Sequence, residues 1–406
     1  MNSAGPLDWV LVLIFTVSGA AVVYLYLGYP LLLLVLARLR PRPVAAGLVR
    51  PAVTVVVPAH DEEAVIGEKV DDCLAQDYPA DRLEVLVVSD GSTDRTERIV
   101  RERATRDPRV RLLSIPRSGK AAALDRGALA ATGEILVLTD ANALLAPGSL
   151  ARLVEPFADP EVGGVCGRKR YRRGRGADAT ELGENLYWRW DQWQKGLESR
   201  IGSVFAADGA LYAVRRGLYV PMADPAQADD IAISARVVLQ GRRLLFEPEA
   251  AAFEEAPAEG RDELRRKIRV TNHSVRALLN LGRRLWTSGF YSVELLSHKL
   301  LRHLAPFPLL ALLVSSLALA IRLDGAAGAF FGLCLALQAA LYGLGLLGFL
   351  LRGTRAGRLR FLSIPYYFSM VNLAALLGVL SILRGVRTVR WTPRQGGETT
   401  TGGREP

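Results

Sequence analysis

An α/β fold with a mostly parallel sheet, held between membrane helices, is predicted by three observations. Short runs rich in Val, Ile and Leu alternate with helical patterns between residues 52 and 139, and such alternation implies parallel β-α-β units. Polar clusters follow these runs directly, at the strand ends where open α/β sheets bind ligands. Long charge-free stretches flank the region on both sides, near or above the ~20 residues that span a bilayer.

Residues 9–37 carry no charge, and Arg38, Arg40 and Arg42 follow them. The positive-inside tendency puts that end in the cytoplasm. Pro41, Pro43, Gly47 and Pro51 then make a linker. VTVVVP (53–58) reads as the first strand, and 62–76 has helical spacing through Val65, Ile66, Val70 and Leu74. EVLVVSD (84–90) is the second strand, 93–106 a helix and VRLLSI (110–115) the third strand. An alanine-rich helix over 120–131 is closed by Gly133, and ILVL (135–138) is the fourth strand.

Beyond residue 160, VGGVCG and LLFEP read as strands and YRRGRGA as a basic loop. Helical patterns cover 181–200, 229–240 and the strongly basic 262–281. Trp188, Trp190 and Trp193 fit core or interfacial anchors better than sugar-stacking platforms. The run 291–303 is amphipathic, with Val293, Leu296 and Leu300 on one face, as for a helix in the membrane interface. Residues 304–321, 325–351 and 361–383 are again free of charge. Arg352, Arg355, Arg358 and Arg360 precede the last of these, and Arg384, Arg387, Arg390 and Arg394 follow it. If all three cross, the two basic flanks fall on opposite sides. Either the last segment is re-entrant or interfacial, or the tail is external despite its charge. No internal repeat is evident, and the low-complexity tail after Pro393 reads as disordered.

The expected divisions are a membrane helix (1–38), a linker (39–51), a cytoplasmic α/β domain (52–290), an interfacial helix (291–303), membrane helices (304–384) and a basic tail (385–406). The chain has 406 residues, a net charge of +10 and a mean hydropathy of +0.18. Arginines beside membrane segments explain the positive excess, and no nucleic-acid motif competes with that reading. Cys73, Cys166 and Cys334 have neither zinc-site nor CxxC spacing. His60, His273, His298 and His303 show no metal-ligand spacing, and the last two read as interfacial. Few charges lie in the membrane segments, which disfavours a transporter.

Four polar constellations stand at successive strand ends or helix starts: PAHDEE (58–63), VVSDGSTD (87–94), RSGKAAALDRG (117–127) and TDAN (139–142). Asp140 and Asn142 project from one strand end, and two oxygen-bearing side chains there suit a hard cation such as Mg²⁺ or Mn²⁺. Asp90 can accept hydrogen bonds from a base or ribose, and Gly91 lets the chain turn close to a ligand. Lys120, at a helix start, can meet phosphate. No GxGxxG follows the first strand, so a dinucleotide site is disfavoured.

With these motifs the chain resembles the membrane-embedded family 2 glycosyltransferases of GT-A fold, and is similar to the synthases of cellulose, hyaluronan and poly-N-acetylglucosamine. The resemblance covers roughly residues 52–302. It implies a nucleotide-diphospho-sugar transferase domain with a Rossmann-like sheet, flanked by transmembrane helices. It implies nucleotide-sugar contacts from Pro58, His60, Glu62, Asp90, Gly91, Lys120 and Asp140, with Glu62 and Asp90 at base and ribose. Asp140 and Asn142 stand at the family's D-x-D, with Asn in place of the second carboxylate. AADGALY (206–212) matches the acceptor region, which implies Asp208 and Gly209 there. ADDIAIS (228–234) matches the motif whose second acidic residue is the general base, here Asp230 beside Asp229. RRKIRV (265–270) occupies the place of Q-x-x-R-W, which implies diphosphate contacts from Arg266, Lys267 and Arg269. Val270 replaces the tryptophan that stacks on acceptor sugar in processive synthases.

The expected activity is inverting transfer from a nucleotide-sugar, UDP-linked, to a growing polysaccharide or other glycan at the membrane. The alternative is transfer of a single sugar to a polyprenyl phosphate or another lipid. The expected cofactor is Mg²⁺ or Mn²⁺, and the expected partners are the donor, the acceptor and membrane lipids, with an accessory subunit left open. A nucleotide-binding protein with a dead site is disfavoured by the retained Asp140, Asp230 and Arg269.

Overall fold

The structure is a computed structural model that describes residues 5–45, 47–172, 179–222, 224, 226–255 and 260–386. Most of the basic loop 171–177, Arg387, Arg390, Arg394 and the tail after Pro393 lie outside the described residues.

The chain opens with helix α1 (Pro6–Leu39). The α/β domain follows as β1 (Val53–Ala59), α2 (Ile66–Leu74), β2 (Leu83–Asp90), α3 (Thr96–Ala104), β3 (Val110–Ile115), α4 (Lys120–Ala130), β4 (Ile135–Leu138), β5 (Leu144–Leu145) and α5 (Ser149–Val154). It continues through β6 (Val162–Arg172), α6 (Ala179–Ile201), β7 (Tyr212–Arg215), α7 (Asp229–Leu239), β8 (Arg243–Glu255) and α8 (Gly260–Leu279). Then come α9 (Phe290–Leu304), α10 (Pro306–Arg322), α11 (Gly325–Leu350) and α12 (Arg360–Leu383).

The eight strands form one sheet in the order β3-β2-β1-β4-β7-β6-β8-β5. The first four are parallel, as the alternating pattern predicts. Every residue of β1 is buried, which explains its unbroken apolar run. Gly133 lets the fourth strand start against β1, since a Cβ there would lie 2.5 Å from the Thr54 amide nitrogen. The other half is mixed: β7 runs antiparallel to both β4 and β6, while β6 and β8 are parallel. The sheet is thus mostly parallel as expected, and β7 is a strand that the sequence pattern does not reveal. Its four residues carry too short a pattern to read.

Two expected helices start late for a common reason. PAHDEE and the turn after β2 brace each other, keeping both segments out of helix. The Glu62 amide bonds Thr96 Oγ1 at 2.8 Å and the Glu63 amide bonds Asp94 Oδ2 at 2.9 Å. Asp61 sits at a φ of 51°, held by its Oδ1, which accepts from the Thr93 amide at 2.7 Å. These loops close the strand ends at which the ligand site is expected.

Three helices, α1, α11 and α12, are long and apolar enough to cross a membrane, and a fourth span arises if α9 and α10, bent by 53°, are one. One face of the second half of α1 is buried, with Tyr29, Leu33 and Ala37 packed on Leu197 of α6. The helix expected over 291–303 is not a free interfacial element. Tyr291, Leu295 and His298 are buried against the α/β domain, where His298 finds polar partners on α6. The interfacial reading of His298 is thereby corrected. Its ring lies between Glu198, 2.5 Å from Nδ1, and Asp191, 3.0 Å from Nε2.

Candidate active site

A cleft of about 360 Å³ opens at the carboxyl ends of β1 and β4, bounded by α4, α6, α7, α8 and α9, within the usual size of a ligand site. It brings together most of the residues singled out from sequence: Pro58, Glu62, Lys120, Asp140, Asn142, Asp208, Gly209, Asp229, Asp230, Arg266, Lys267 and Arg269. They come from separate stretches, because β1, β4 and the starts of α4 and α7 converge at one end of the sheet.

Lys120, in the first turn of α4, is the hub. Its Nζ lies 2.8 Å from Asp140 Oδ1 and 3.0 Å from Asp229 Oδ2. Burial alone would lower its pKa, but the two carboxylates outweigh burial and raise it. Burial pushes the Asp140 carboxyl up, against the pull of Lys120. Asp230, in the first turn of α7, is pushed up to about 6 by burial and by the Asp229 charge beside it.

Three of the expected contacts are placed behind the cleft wall. The Asp90 carboxylate is fully buried and accepts from the Ser118 amide at 2.6 Å and the Gly119 amide at 2.9 Å, with Arg117 also on it. It therefore anchors the loop that presents Lys120. Gly91, at a φ of 62°, lets that loop pass: a Cβ there would lie 2.8 Å from the Arg117 nitrogen. His60 Nδ1 meets the Asp90 carbonyl at 2.9 Å.

On α8, Glu263 gathers two of the expected diphosphate groups. Its carboxylate lies 2.7 Å from Arg266 Nε and 3.0 Å from Lys267 Nζ. Burial would raise the Glu263 pKa, yet Lys267 and Arg266 bring it down to about 2. Val270 also lines the cleft, so an aliphatic side chain stands where the resemblance has tryptophan. Trp188 lines it too, with Lys169 Nζ 5.6 Å from its ring.

Sequence reasoning missed several cleft residues. Lys169 pairs with Glu254 at 2.7 Å, joining β6 to β8. Lys195 and Lys299 both stand 5.4 Å from the Phe205 ring, at the Asp230 end. Lys195 also lies 3.7 Å from Asp191, whereas Lys299 has no ion pair among the described residues. Asp191 and Glu198 lie seven apart on α6 and therefore share a face. That spacing was the one sequence signal for their common partner, His298.

A hard cation fits this donor set only together with substrate. Asp140 and Asn142 offer one carboxylate and one amide oxygen, and no cluster of three His, Cys, Asp or Glu that could hold a metal occurs among the described residues. Mg²⁺ and Mn²⁺ sites of this kind take further ligands from substrate phosphates and water.

The model of the glycosyl transferase family 2 matches residues 54–219, the stretch that builds β1 to β7 and the Lys120 and Asp140 side of the cleft. The chain carries a family 2 glycosyl transferase domain. Among curated relatives, an N-acetylglucosaminyltransferase of Rhizobium meliloti is 28% identical over 63% of this chain and 60% of its own length. A beta-monoglucosyldiacylglycerol synthase of Synechocystis is 34% identical over 40% of this chain and 36% of its own. The chain thus spans three-fifths or less of these two relatives. A solved mannosyltransferase of Pyrobaculum calidifontis, in complex with GDP-Man and Mn²⁺, is 28% identical with a TM-score of 0.65, covering 89% of this chain and 99% of that one. The chain thus combines a family 2 glycosyl transferase domain of GT-A fold with helices apolar enough to cross a membrane.

Proposed function

We propose that the protein is an inverting glycosyltransferase, moving a sugar from a nucleoside diphosphate donor to a hydroxyl of a membrane-associated glycan, with its catalytic domain in the cytoplasm. The observation that carries this is Asp230, a half-buried carboxylate whose pKa is raised to about 6, in the same cleft as Asp140 and Lys120. Asp230 takes the proton from the acceptor hydroxyl as that oxygen bonds the anomeric carbon. The bond to the diphosphate breaks on the opposite face, and Lys120, Arg266, Lys267 and Arg269 take up the charge that leaves with it. Asp208 and Gly209 lie between donor and acceptor ends. Asp140 and Asn142 would hold Mg²⁺ or Mn²⁺ with the diphosphate, where the ion supplies charge neutralisation. The uridine donor rests on the resemblance, and the GDP-Man complex of the mannosyltransferase makes a guanosine donor its competitor.

A second reading, transfer to a lipid, is favoured by Lys299. This cation lines the acceptor end, has no ion pair among the described residues and stands on α9, next to the apolar helix α10. An acceptor bearing a phosphate would give it a partner, and Val270 in place of a stacking ring fits a short acceptor. The beta-monoglucosyldiacylglycerol synthase among the relatives is consistent with a lipid product.

The test offers protein purified in lipid a panel of labelled UDP- and GDP-sugars and sorts product into solvent-extractable glycolipid and non-extractable polymer. Polymer supports the first reading and glycolipid the second. Nucleotide binding without turnover of any sugar would refute both.

A further inference from the structure

The positive-inside conflict at the last apolar helix has a structural answer. We propose that α12 does not cross the bilayer. It lies in the cytoplasmic leaflet, with one side seated on the catalytic domain, exposed apolar side chains among the lipids, and arginines at both ends on the headgroups of that leaflet. This rests on the membrane reading above.

Contact with the catalytic domain runs the length of α12. Near its start, Tyr366, Tyr367 and Met370 pack with Tyr187 of α6 and Leu264 of α8, and Lys267 Nζ lies 5.2 Å from the Tyr367 ring. Further along, Gly378 is pressed on α8 so closely that a Cβ would stand 2.6 Å from the Thr271 side chain and 3.0 Å from the Ile268 carbonyl. Near its end, Asn272 Nδ2 donates to Ser381 Oγ at 2.7 Å, and Arg276 Nη2 donates to the Val386 carbonyl at 2.7 Å. From Tyr366 to Ser381 the helix rises about 22 Å, and α8 accompanies it throughout in the same direction.

α8 carries Arg265, Arg266, Lys267, Arg269 and Arg276 and lines the active-site cleft. Charges of this kind are costly at a bilayer midplane. A helix that keeps to α8 from end to end therefore has both ends on the side of the catalytic domain. Burial agrees: 39% of the apolar window of α12 is buried, against 11% in α1 and in α11.

The occupant of the remaining surface is lipid. Phe361, Ile364, Leu373, Leu377 and Leu383 are exposed. α11 meets the first half of α12 directly, with Gly345 and Gly348 against Leu362, Pro365, Tyr366 and Ser369, so this surface continues that of a membrane-spanning helix. Arg355, Arg358 and Arg360 at one end and Arg384 at the other are exposed and match anionic headgroups. On this arrangement both arginine groups are cytoplasmic. The leaflet then also backs the cation wall of the cleft, because the other face of α8 presents Arg266, Val270 and His273 to it.

The test uses full-length protein with Cys334→Ser, since Cys73 and Cys166 are buried. Single cysteines at Asp324, Arg355 and Arg384 are treated with a membrane-impermeant maleimide in intact and in lysed cells. Asp324→Cys should label in intact cells, and Arg355→Cys and Arg384→Cys only after lysis. Labelling of Arg384→Cys from outside would overturn the proposal. Failure of Asp324→Cys to label until lysis, in protein that leaves the membrane fraction on washing, would overturn the membrane reading with it. Nitroxide labels at Leu373→Cys and Leu383→Cys in phosphatidylcholine–phosphatidylglycerol vesicles give the depth. Equal, shallow oxygen accessibility at both supports the in-plane helix. A midplane maximum at Leu373 refutes it, as does oxygen exclusion with cross-linked dimers, which would put a second copy of the chain on this face.

Discussion

The ammonium of Lys120 lies 2.8 Å from the carboxylate of Asp140, and the same nitrogen reaches Asp229 at 3.0 Å. One cation thus ties the end of β4 to the start of α7. Lys120→Gln removes the charge and leaves Asp140, Asp229 and Asp230 around one cleft. A hydrogen bond to a charged group is worth about 1.5–3 kcal/mol, so donor KM should rise by roughly tenfold to a hundredfold. The pH at which rate reaches half its maximum should also move up, because uncompensated carboxylates repel. Donor titration and a pH–rate profile of this variant check both effects.

The donor half of the cleft was legible because its residues follow apolar runs within a few positions. Asp140 comes two residues after β4, and Lys120 opens α4. Asp90 shows the limit of that legibility. A polar residue at a strand end was read as a ligand contact, while its side chain turns back to fix residues 117–119. Lys299, Lys195 and the Asp191–His298–Glu198 cluster were not legible. Lys299 and His298 meet partners about a hundred residues away in sequence, which no local period encodes, and Lys195 reads on its own helix only as an i,i+4 pair with Asp191. In the mixed half of the sheet β6 and β8 were legible as strands but their pairing was not, since it reaches across the whole of α6, β7 and α7.

Chelation should abolish activity, and Mg²⁺ or Mn²⁺ should restore it. Asp140 and Asn142 are too few to hold an ion without the diphosphate, so free protein should bind Mn²⁺ only weakly until the nucleotide is added. Asn142→Asp adds a carboxylate and should tighten Mn²⁺ binding in the nucleotide complex while preserving turnover. Calorimetry with and without nucleotide measures this. Full activity in excess chelator would contradict it.

The buried cluster on α6 predicts a stability effect apart from the chemistry. Glu198 accepts from the Tyr29 hydroxyl at 2.6 Å and the Phe205 amide at 3.2 Å, and it meets His298 at 2.5 Å. It therefore joins α1, α6 and α9. Glu198→Ala leaves these groups buried without their shared partner, at a cost of about 3–5 kcal/mol. Thermal unfolding in detergent should shift down by several degrees, and Glu198→Gln, which keeps an acceptor, should shift less.

Gly378 predicts that the back of the cleft reports to the front. A side chain at this position must displace Thr271 or the Ile268 backbone, and with them the turn of α8 that carries Arg269 and Val270. Gly378→Leu should raise donor KM by about tenfold, the loss of roughly one charged hydrogen bond, while Leu377→Ala on the exposed side should leave it unchanged. Equal KM values in the two variants would separate α12 from the donor site.

The last prediction concerns Asp230. Its carboxyl is pushed up to about 6, first by burial and then by Asp229, and a general base works only when deprotonated. The sign follows: rate should climb about tenfold per pH unit below pH 6 and level off above it. Asp230→Asn keeps size and hydrogen bonding but accepts no proton. It should lose on the order of 10²–10⁴ in rate, retain nucleotide binding and lose the acid limb of the profile. Asp229→Asn removes the neighbouring charge and the second carboxylate on Lys120. Its rate should fall less, and its acid limb should move to lower pH, because one of the two causes that raise the Asp230 pKa is gone. An unshifted limb in Asp229→Asn, together with near-normal transfer by Asp230→Asn, would take the base away from this helix start.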